Sequence, residues 1–305
     1  MYIHYVLNYV DPPQLVLVTG VTGRHGGTGA TVVRLLRERD IAVRVLVRRP
    51  EAVPTEGDLE VALGDLHDRR SLLEALKGVD AAYFTDPVDT GIVDAAANFA
   101  AAGRETHLQH LVVMSMLPAS PGSPSDLGRS QWLAEEIFRW ADLSAITLRI
   151  AAFFFENLEL LHGREIREEG LIRNSFGDVA VSWMSAADAA RLAVAALTEP
   201  QRFRESCVYP TGTSVASYRD IAALVAQQAG RPVRHETITE AAWRERLVEL
   251  SDQDPRINPA MAQHIAALGA AVRADHSPNS VYLDLVGEAP ESISDAIASG
   301  RLHLA

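Results

Sequence analysis

The apolar run Leu15, Val16, Leu17, Val18 is followed at once by glycines at positions 20, 23, 26, 27 and 29, and then by Val32, Val33, Leu35 and Leu36 at helical spacing. A strand that is aliphatic at every position is buried on both faces, and a parallel sheet with helices on either side is the arrangement that buries it. Glycines between such a strand and a helix let backbone N–H groups come close to an anion at the helix N-terminus. The segment therefore predicts strand, turn and helix, with Gly20, Thr22, Gly23, Arg24, His25, Gly26 and Gly27 cradling a pyrophosphate. The register Gly20-x-x-Gly23-x-x-Gly26 is favoured because Gly20 ends the strand. Thr22, Gly23, Gly27 and Gly29 fit the alternative T-G-x-x-x-G-x-G spacing, and residues 28–30 read as an insertion that lengthens the turn.

A second apolar strand over 41–47 ends in Arg48 and Arg49. A site that prefers NAD carries an acid there for the ribose hydroxyls, so arginine points to a 2′-phosphate and to NADP(H) as the cofactor.

Strand and helix patterns alternate from Leu15 onward, which predicts an α/β fold with a doubly wound parallel-sheet Rossmann domain. A third strand over 59–63 runs into Asp65 and Leu66, and a helix follows that either Asp65 or Asp68 caps. A fourth strand ends at Thr85, Asp86 and Pro87, polar groups at the carboxyl edge where ligands of open sheets bind. Strand 111–114 leads into Ser115. The segment 118–126, PASPGSPSD, is dense in Pro, Ser and Gly and reads as a mobile connection that gates a cleft. A helix over 127–141 and a strand over 144–150 come next, and then Phe153, Phe154, Phe155 and Asn157 just past the strand's carboxyl end. Trp183, Met184 and Trp243 are further apolar candidates for a substrate pocket, with core packing as their default. His107 and His110 read as solvated or core histidines. Three domain segments result: an extension over 1–14 of open role, a nucleotide-binding domain over 15–155, and a smaller α/β substrate lobe over 156–305 with some segments returning to the sheet.

The order GVTGRHGG, VVRLL, VRVLVRRPE, with the later GDLHDRRSLLEALKGVD, LRIAAFFFENL, VSWMSAADAARLAVAAL and LVGEAPESISDAI, resembles the NmrA-like family of atypical short-chain dehydrogenases from about Leu15 to Arg301. The resemblance implies a Rossmann domain, a nicotinamide cofactor and a C-terminal lobe over a substrate cleft. It places Asp65 and Leu66 along the adenine, Phe153 beside the nicotinamide, and Ser115 where such enzymes hold a substrate carbonyl, although a turn-capping hydroxyl is an equal reading of Ser115. It also implies a departure. SQWLAEEIFRW puts Leu127 and Gln131 at the usual Tyr-x-x-x-Lys positions, and no tyrosine lies between Tyr83 and Tyr209. Gln131 is then expected to hydrogen-bond cofactor ribose or carboxamide without transferring a proton.

With 305 residues, of which 48% are hydrophobic, the chain can bury a large core. A net charge of −12 and the lack of a basic stripe argue against direct nucleic-acid binding. The single cysteine, Cys207, excludes a disulfide framework and fits a reducing cytoplasm, and no apolar run is long enough to span a membrane. No metal site is expected. The leading functional reading is an NADP(H)-dependent oxidoreductase that passes hydride to a small apolar or aromatic electron-poor acceptor such as a quinone or conjugated carbonyl. A non-catalytic NADP(H) redox sensor acting through a protein partner is the alternative from another class, and an isomerase or lyase on the same fold is a third. A homo-oligomer is compatible with each.

Overall fold

A computed structural model describes residues 12–22, 27–49, 59–86, 88, 90–272 and 277–304. The first half alternates β1 (Leu15–Val18), α1 (Thr28–Arg37), β2 (Ala42–Val47), β3 (Glu60–Leu63), α2 (Arg69–Ala75), β4 (Ala81–Phe84), α3 (Ile92–Glu105), β5 (His110–Met116), α4 (Asp126–Trp140) and β6 (Ala145–Ile150). The second half holds β7 (Phe153–Phe154), α5 (Glu156–Glu169), β8 (Leu171–Asn174), β9 (Val181–Met184), α6 (Ala186–Thr198), β10 (Cys207–Val208) and β11 (Ser214–Ala216). After these come α7 (Tyr218–Ala229), β12 (Arg234–Thr237), α8 (Glu240–Gln253), α9 (Pro259–Ala271), α10 (Val281–Val286) and α11 (Ile293–Ala298).

The main sheet has the order β10-β6-β5-β4-β1-β2-β3, and every pair in it is parallel. The chain runs outward from β1 through β2 and β3, then restarts at β4 on the other side. The crevice between β1 and β4 is thus the topological switch point. Alternate residues of each strand feed two cores, as their period of two requires. Val16, Val18, Tyr83, Val112 and Leu148 meet Val32 and Leu36 of α1 and Leu192 of α6 on one face. On the other, Leu17, Phe84, Leu111 and Val113 meet Leu72, Phe99 and Phe138, and the Phe84 ring packs edge-on against Phe99 at 5.2 Å and Phe138 at 4.9 Å.

The later chain does not stand apart from this sheet. β10 pairs with β6, and the α6 side chains share a core with those of α1. The remaining strands form two small sheets, β11-β9-β7 and β12-β8. Asp188 of α6 ties the C-terminal segment down: fully buried, it accepts from Ser185 Oγ at 2.6 Å, Arg191 Nη1 at 2.5 Å, Tyr282 Oη at 3.1 Å and the Glu291 backbone N–H at 3.1 Å.

Two sequence expectations change. Residues 28–30 are no insertion in the turn but the first turn of α1, whose N-cap is Gly27 at φ 65°. The close helix–strand approach falls to Gly29: a Cβ there would lie 2.7 Å from the Gly20 carbonyl oxygen and 2.8 Å from that of Thr19. The segment 118–126 is pinned rather than loose, since its small polar residues act as caps. Ala119 N–H donates to Met116 O at 3.0 Å, Ser123 N–H to Ser120 O at 3.1 Å, and Arg129 Nη1 to Ser123 O at 2.6 Å, while Ser125 caps α4 through Gly128 N–H at 2.9 Å.

The two glycines at the α1 terminus are needed for different reasons, and substitution separates them. Gly27→Ala should cost about 1–2 kcal/mol for a left-handed residue with a Cβ, and Gly27→Asn should regain much of it, because asparagine tolerates that conformation and open space surrounds the site. Gly29→Ala should cost about 1–3 kcal/mol by overpacking, and Gly29→Asn more. Urea unfolding of the four variants reads the difference; equal behaviour of the two asparagine variants would contradict it.

Candidate functional site

At the switch point the ends of β1 and β4 are stitched together. Thr19 Oγ1 donates to Thr85 O at 2.7 Å and accepts from Thr85 N–H at 2.9 Å, and Thr19 N–H donates to Tyr83 O at 3.1 Å. Gly20 follows at φ 68°, so close to Thr85 that a Cβ would fall 2.3 Å from its Cγ2. Beyond the crevice α1 begins at Thr28, and the buried Tyr83 hydroxyl donates to Thr28 Oγ1 at 3.1 Å. Among the described residues no side chain caps α1 at Gly27, and no acidic residue occupies the helix's first turn. No described side chain takes the first N–H groups of the helix, and the helix dipole favours an anion there.

Around this cradle Thr22 is exposed, while Gly23, Arg24, His25, Gly26 and Pro87 lie outside the described residues. Arg48 and Arg49 leave the end of β2 exposed, with no ion pair among the described residues. Asp68, not Asp65, caps α2 through Arg70 N–H at 3.0 Å, and Asp65 Oδ1 accepts from His67 N–H at 2.9 Å. Leu66 is half-buried against the α2/α3 core, and its carbonyl accepts from Asn98 at 3.3 Å. Asp86 follows Thr85 at the same carboxyl edge. The residues present could hold a dinucleotide through backbone N–H donors at the α1 terminus and the two guanidinium groups past β2.

The expected catalytic pair is placed differently. Ser115 is buried, and its hydroxyl donates to Glu135 Oε1 on α4. Glu135 is itself sealed, with its side chain 2% exposed, and is gripped by Arg149 of β6 through Nε at 2.9 and 3.1 Å and through Nη2. The carboxylate holds the Arg149 guanidinium above its ordinary pKa, and Arg149 Nη1 reaches Tyr209 Oη at 2.8 Å. Because the single hydroxyl proton of Ser115 is committed to a carboxylate, it has none left for a substrate carbonyl. The expectation that it orients the acceptor is corrected accordingly. Gln131 is buried one turn nearer the helix start, its Nε2 3.4 Å from Met114 O. Leu127 is buried.

The aromatic run divides. Phe153 and Phe154 are half-buried; Phe153 lies edge-on to Phe176 at 5.1 Å and to Trp183 at 5.6 Å. Phe155 is sealed in the lobe core, with Arg301 over its ring at 5.7 Å. Asn157 is half-buried, and its side chain has no hydrogen-bond partner among the described residues. Trp183 is fully buried, its indole donating to Ala216 O at 2.9 Å, and Met184 is fully buried against α6. Phe155, Trp183 and Met184 thus build the walls rather than present surface to a substrate. Trp243 is likewise interior, stacked 5.3 Å from the ring of His162, whose pKa burial pushes down to about 3. His110 is a core residue between the carbonyls of Ser144 and Ala196, each at 2.9 Å.

Sequence reasoning missed two features near the crevice. One is the Glu135–Arg149 pair behind Ser115. The other is α9, which hangs from two loops at the carboxyl edge: Asn258 Nδ2 donates to Val88 O at 2.8 Å, and His264 Nδ1 lies 2.6 Å from Ser125 Oγ. Among the described residues no group of acidic, His or Cys side chains could hold a metal, and no helix is long and apolar enough to cross a membrane.

Comparison with known proteins gives the family and the fold. The sequence is 36% identical over 230 residues, 74% of this chain and 77% of the relative, to an NAD(P)H azoreductase of Xenophilus azovorans. It is 33% identical over 239 residues, 77% of the chain and 80% of the relative, to a (4-alkanoyl-5-oxo-2,5-dihydrofuran-3-yl)methyl phosphate reductase of Streptomyces griseus. An NADPH-dependent quinone oxidoreductase of Escherichia coli, solved with NADPH, shares the fold at a TM-score of 0.79 and 21% identity, covering 93% of this chain and 99% of that one. The profile of the NmrA-like family matches residues 12–275, and the chain belongs to that family.

Proposed function

We propose that this protein is an NADP(H)-dependent reductase of small electron-poor acceptors, of the quinone or conjugated-carbonyl class, working without a Tyr-Lys pair. The observation that carries the reading is the switch-point cradle, with its uncapped helix terminus and the two exposed arginines past β2. That more than one relative over 30% identical is named as a reductase supports hydride chemistry. When bound, the reduced nicotinamide supplies the hydride; the protein contributes position and electrostatics. Gly20 and the first turn of α1 receive the pyrophosphate, and Arg48 and Arg49 the 2′-phosphate. Gln131, whose bond to Met114 O is at the long limit, turns its amide to ribose or carboxamide. Phe153, Phe154 and Asn157 border the acceptor.

Charge-assisted hydrogen bonds from Arg48 should contribute about 1.5–3 kcal/mol, so NADPH should bind more than about tenfold more tightly than NADH. Arg48→Glu should abolish that preference. Isothermal titration measures both; equal affinities in the unaltered protein would remove the 2′-phosphate assignment.

With leucine and glutamine at the Tyr-Lys positions of α4, the protein should oxidise NADPH rapidly with benzoquinones and leave secondary alcohols unreacted with NADP⁺, because general-acid help worth about 10²–10⁴ in rate is missing. Stopped-flow absorbance at the reduced-nicotinamide band follows both directions. Turnover of simple alcohols would refute the mechanism, and tight NADPH binding with no acceptor reduced would favour the redox-sensor reading.

A further inference from the structure

Ser125 and His264 are 139 residues apart in the chain and meet at the start of α4. Ser125 Oγ accepts from Gly128 N–H at 2.9 Å, so its own proton needs another acceptor, and His264 Nδ1 at 2.6 Å is the one present. The opposite assignment, with Nδ1 as donor, would leave a fully buried hydroxyl proton with no acceptor among the described residues. The imidazole is therefore held as the tautomer that carries its proton on Nε2. Burial pushes the pKa of His264 down to about 4, which keeps the ring neutral near pH 7. Nε2 has no hydrogen-bond partner among the described residues, although the residue is only 7% exposed.

The helix that carries this ring, α9, is tied at two points to segments that follow the carboxyl ends of β4 and β5. Its N-cap, Asn258, accepts from Met261 N–H at 2.8 Å through Oδ1 and holds Val88 O, just past β4, through Nδ2. Six residues on, about 9 Å along the axis, His264 reaches the segment that follows β5. α9 thus bridges the loops leaving two neighbouring strands on one side of the switch point. Its imidazole meets Ser125, two residues from Leu127, the position matched to the absent tyrosine.

We propose that His264 is a catalytic residue of the reductase reaction, its Nε2–H donating a hydrogen bond to the acceptor's carbonyl oxygen in place of the missing tyrosine hydroxyl, with Ser125 as the positioning residue that sets its tautomer. The assignment rests on the reductase reading above. Hydride leaves NADPH for the conjugated acceptor, and the electron pair displaced from the carbonyl settles on its oxygen. His264 stabilises that oxyanion without giving up its proton; water then protonates the oxygen, so that quinone, NADPH and H⁺ become hydroquinone and NADP⁺. A neutral imidazole aimed at a developing oxyanion is an electrostatic device, and removing one such donor costs roughly 10²–10³ in rate.

Single-turnover stopped flow with a benzoquinone tests this. In His264→Phe the hydride-transfer rate constant should fall roughly 10²-fold while NADPH affinity stays within about twofold, and the isotope effect with deuterated NADPH should rise. His264→Gln should recover part of the rate through its amide N–H. Ser125→Ala should lose rate and Ser125→Thr regain it. A second readout does not depend on turnover: in ¹⁵N–¹H spectra His264 should be protonated at Nε2 only, and that proton should move downfield when 4-nitrophenolate joins the NADP⁺ complex. An unchanged rate in His264→Phe, or a ring protonated at Nδ1, overturns the assignment while leaving the reductase reading in place. If the unaltered protein reduces no quinone, the reductase reading fails and this assignment fails with it, whatever the tautomer.

Discussion

The crossing of α1 over the end of β1 is the contact on which the rest of the structure depends. Gly29 brings the helix backbone so near the Thr19 and Gly20 carbonyls that no side chain fits between them. β1 is paired on both sides, and its end is locked to β4 through Thr19 and Thr85, so it has no room to yield. The helix terminus is consequently held against the one crevice that strand order leaves open. Had α1 been held off by even a methyl group, its free N–H groups would rise away from that crevice and their aligned dipoles would no longer meet there. Packing and anion binding are thus the same feature.

The later chain is fastened to this frame by buried polar groups at a few points. Asp188 collects a hydroxyl, a guanidinium, a phenol and a backbone N–H, which come from α6, α10 and the stretch before α11. Glu135 does the same for α4, β5 and β6. Removing one partner from such a node leaves an uncompensated charge at a cost of about 3–5 kcal/mol, so each node enforces one arrangement of its elements. The first node holds C-terminal segments against the α6 face of the sheet. The second shapes the floor below α4. Its likeness to a catalytic serine beside a carboxylate is deceptive, because Glu135 is taken up by its ion pair with Arg149 and itself accepts the serine proton.

Period and punctuation made the sheet legible. Apolar runs, aliphatic throughout in β1, broken by Arg44 in β2 and ending in Tyr83 and Phe84 in β4, marked those strands; alternating helices marked the crossovers; and Ser217, Thr239 and Asn258 cap α7, α8 and α9. Other facts depend on tertiary partners and left no local trace. Five glycines in ten residues cannot show which one faces a carbonyl, and only the start of α1 at Thr28 gives Gly29 its place in the helix rather than in a longer turn. Phe155 and Trp183 are apolar whether they line a pocket or a core. The segment 118–126 looks mobile by composition, yet a guanidinium, a helix cap and a histidine from α9 hold it. Ser125 and His264 are far apart in sequence, and neither sits in a motif.

The chemistry of α4 narrows what such a site can do in either direction. Reducing a simple ketone leaves a basic alkoxide, and the acid that would protonate it is worth about 10²–10⁴ in rate. A quinone spreads the same charge over its own conjugated system and needs only a donor to meet one oxygen. Running the reaction backward from an alcohol needs a base for the hydroxyl proton, and the groups near the start of α4 offer none: Leu127 is hydrocarbon, Gln131 is an amide, and His264 takes the Ser125 proton on one nitrogen and carries its own on the other. Of the α4 carboxylates, Asp126 is exposed and paired with Arg129, and Glu135 is sealed by Arg149 and Ser115. A site so built can polarise an acceptor but cannot exchange protons with it, and that asymmetry favours reduction of acceptors whose products carry their own charge well.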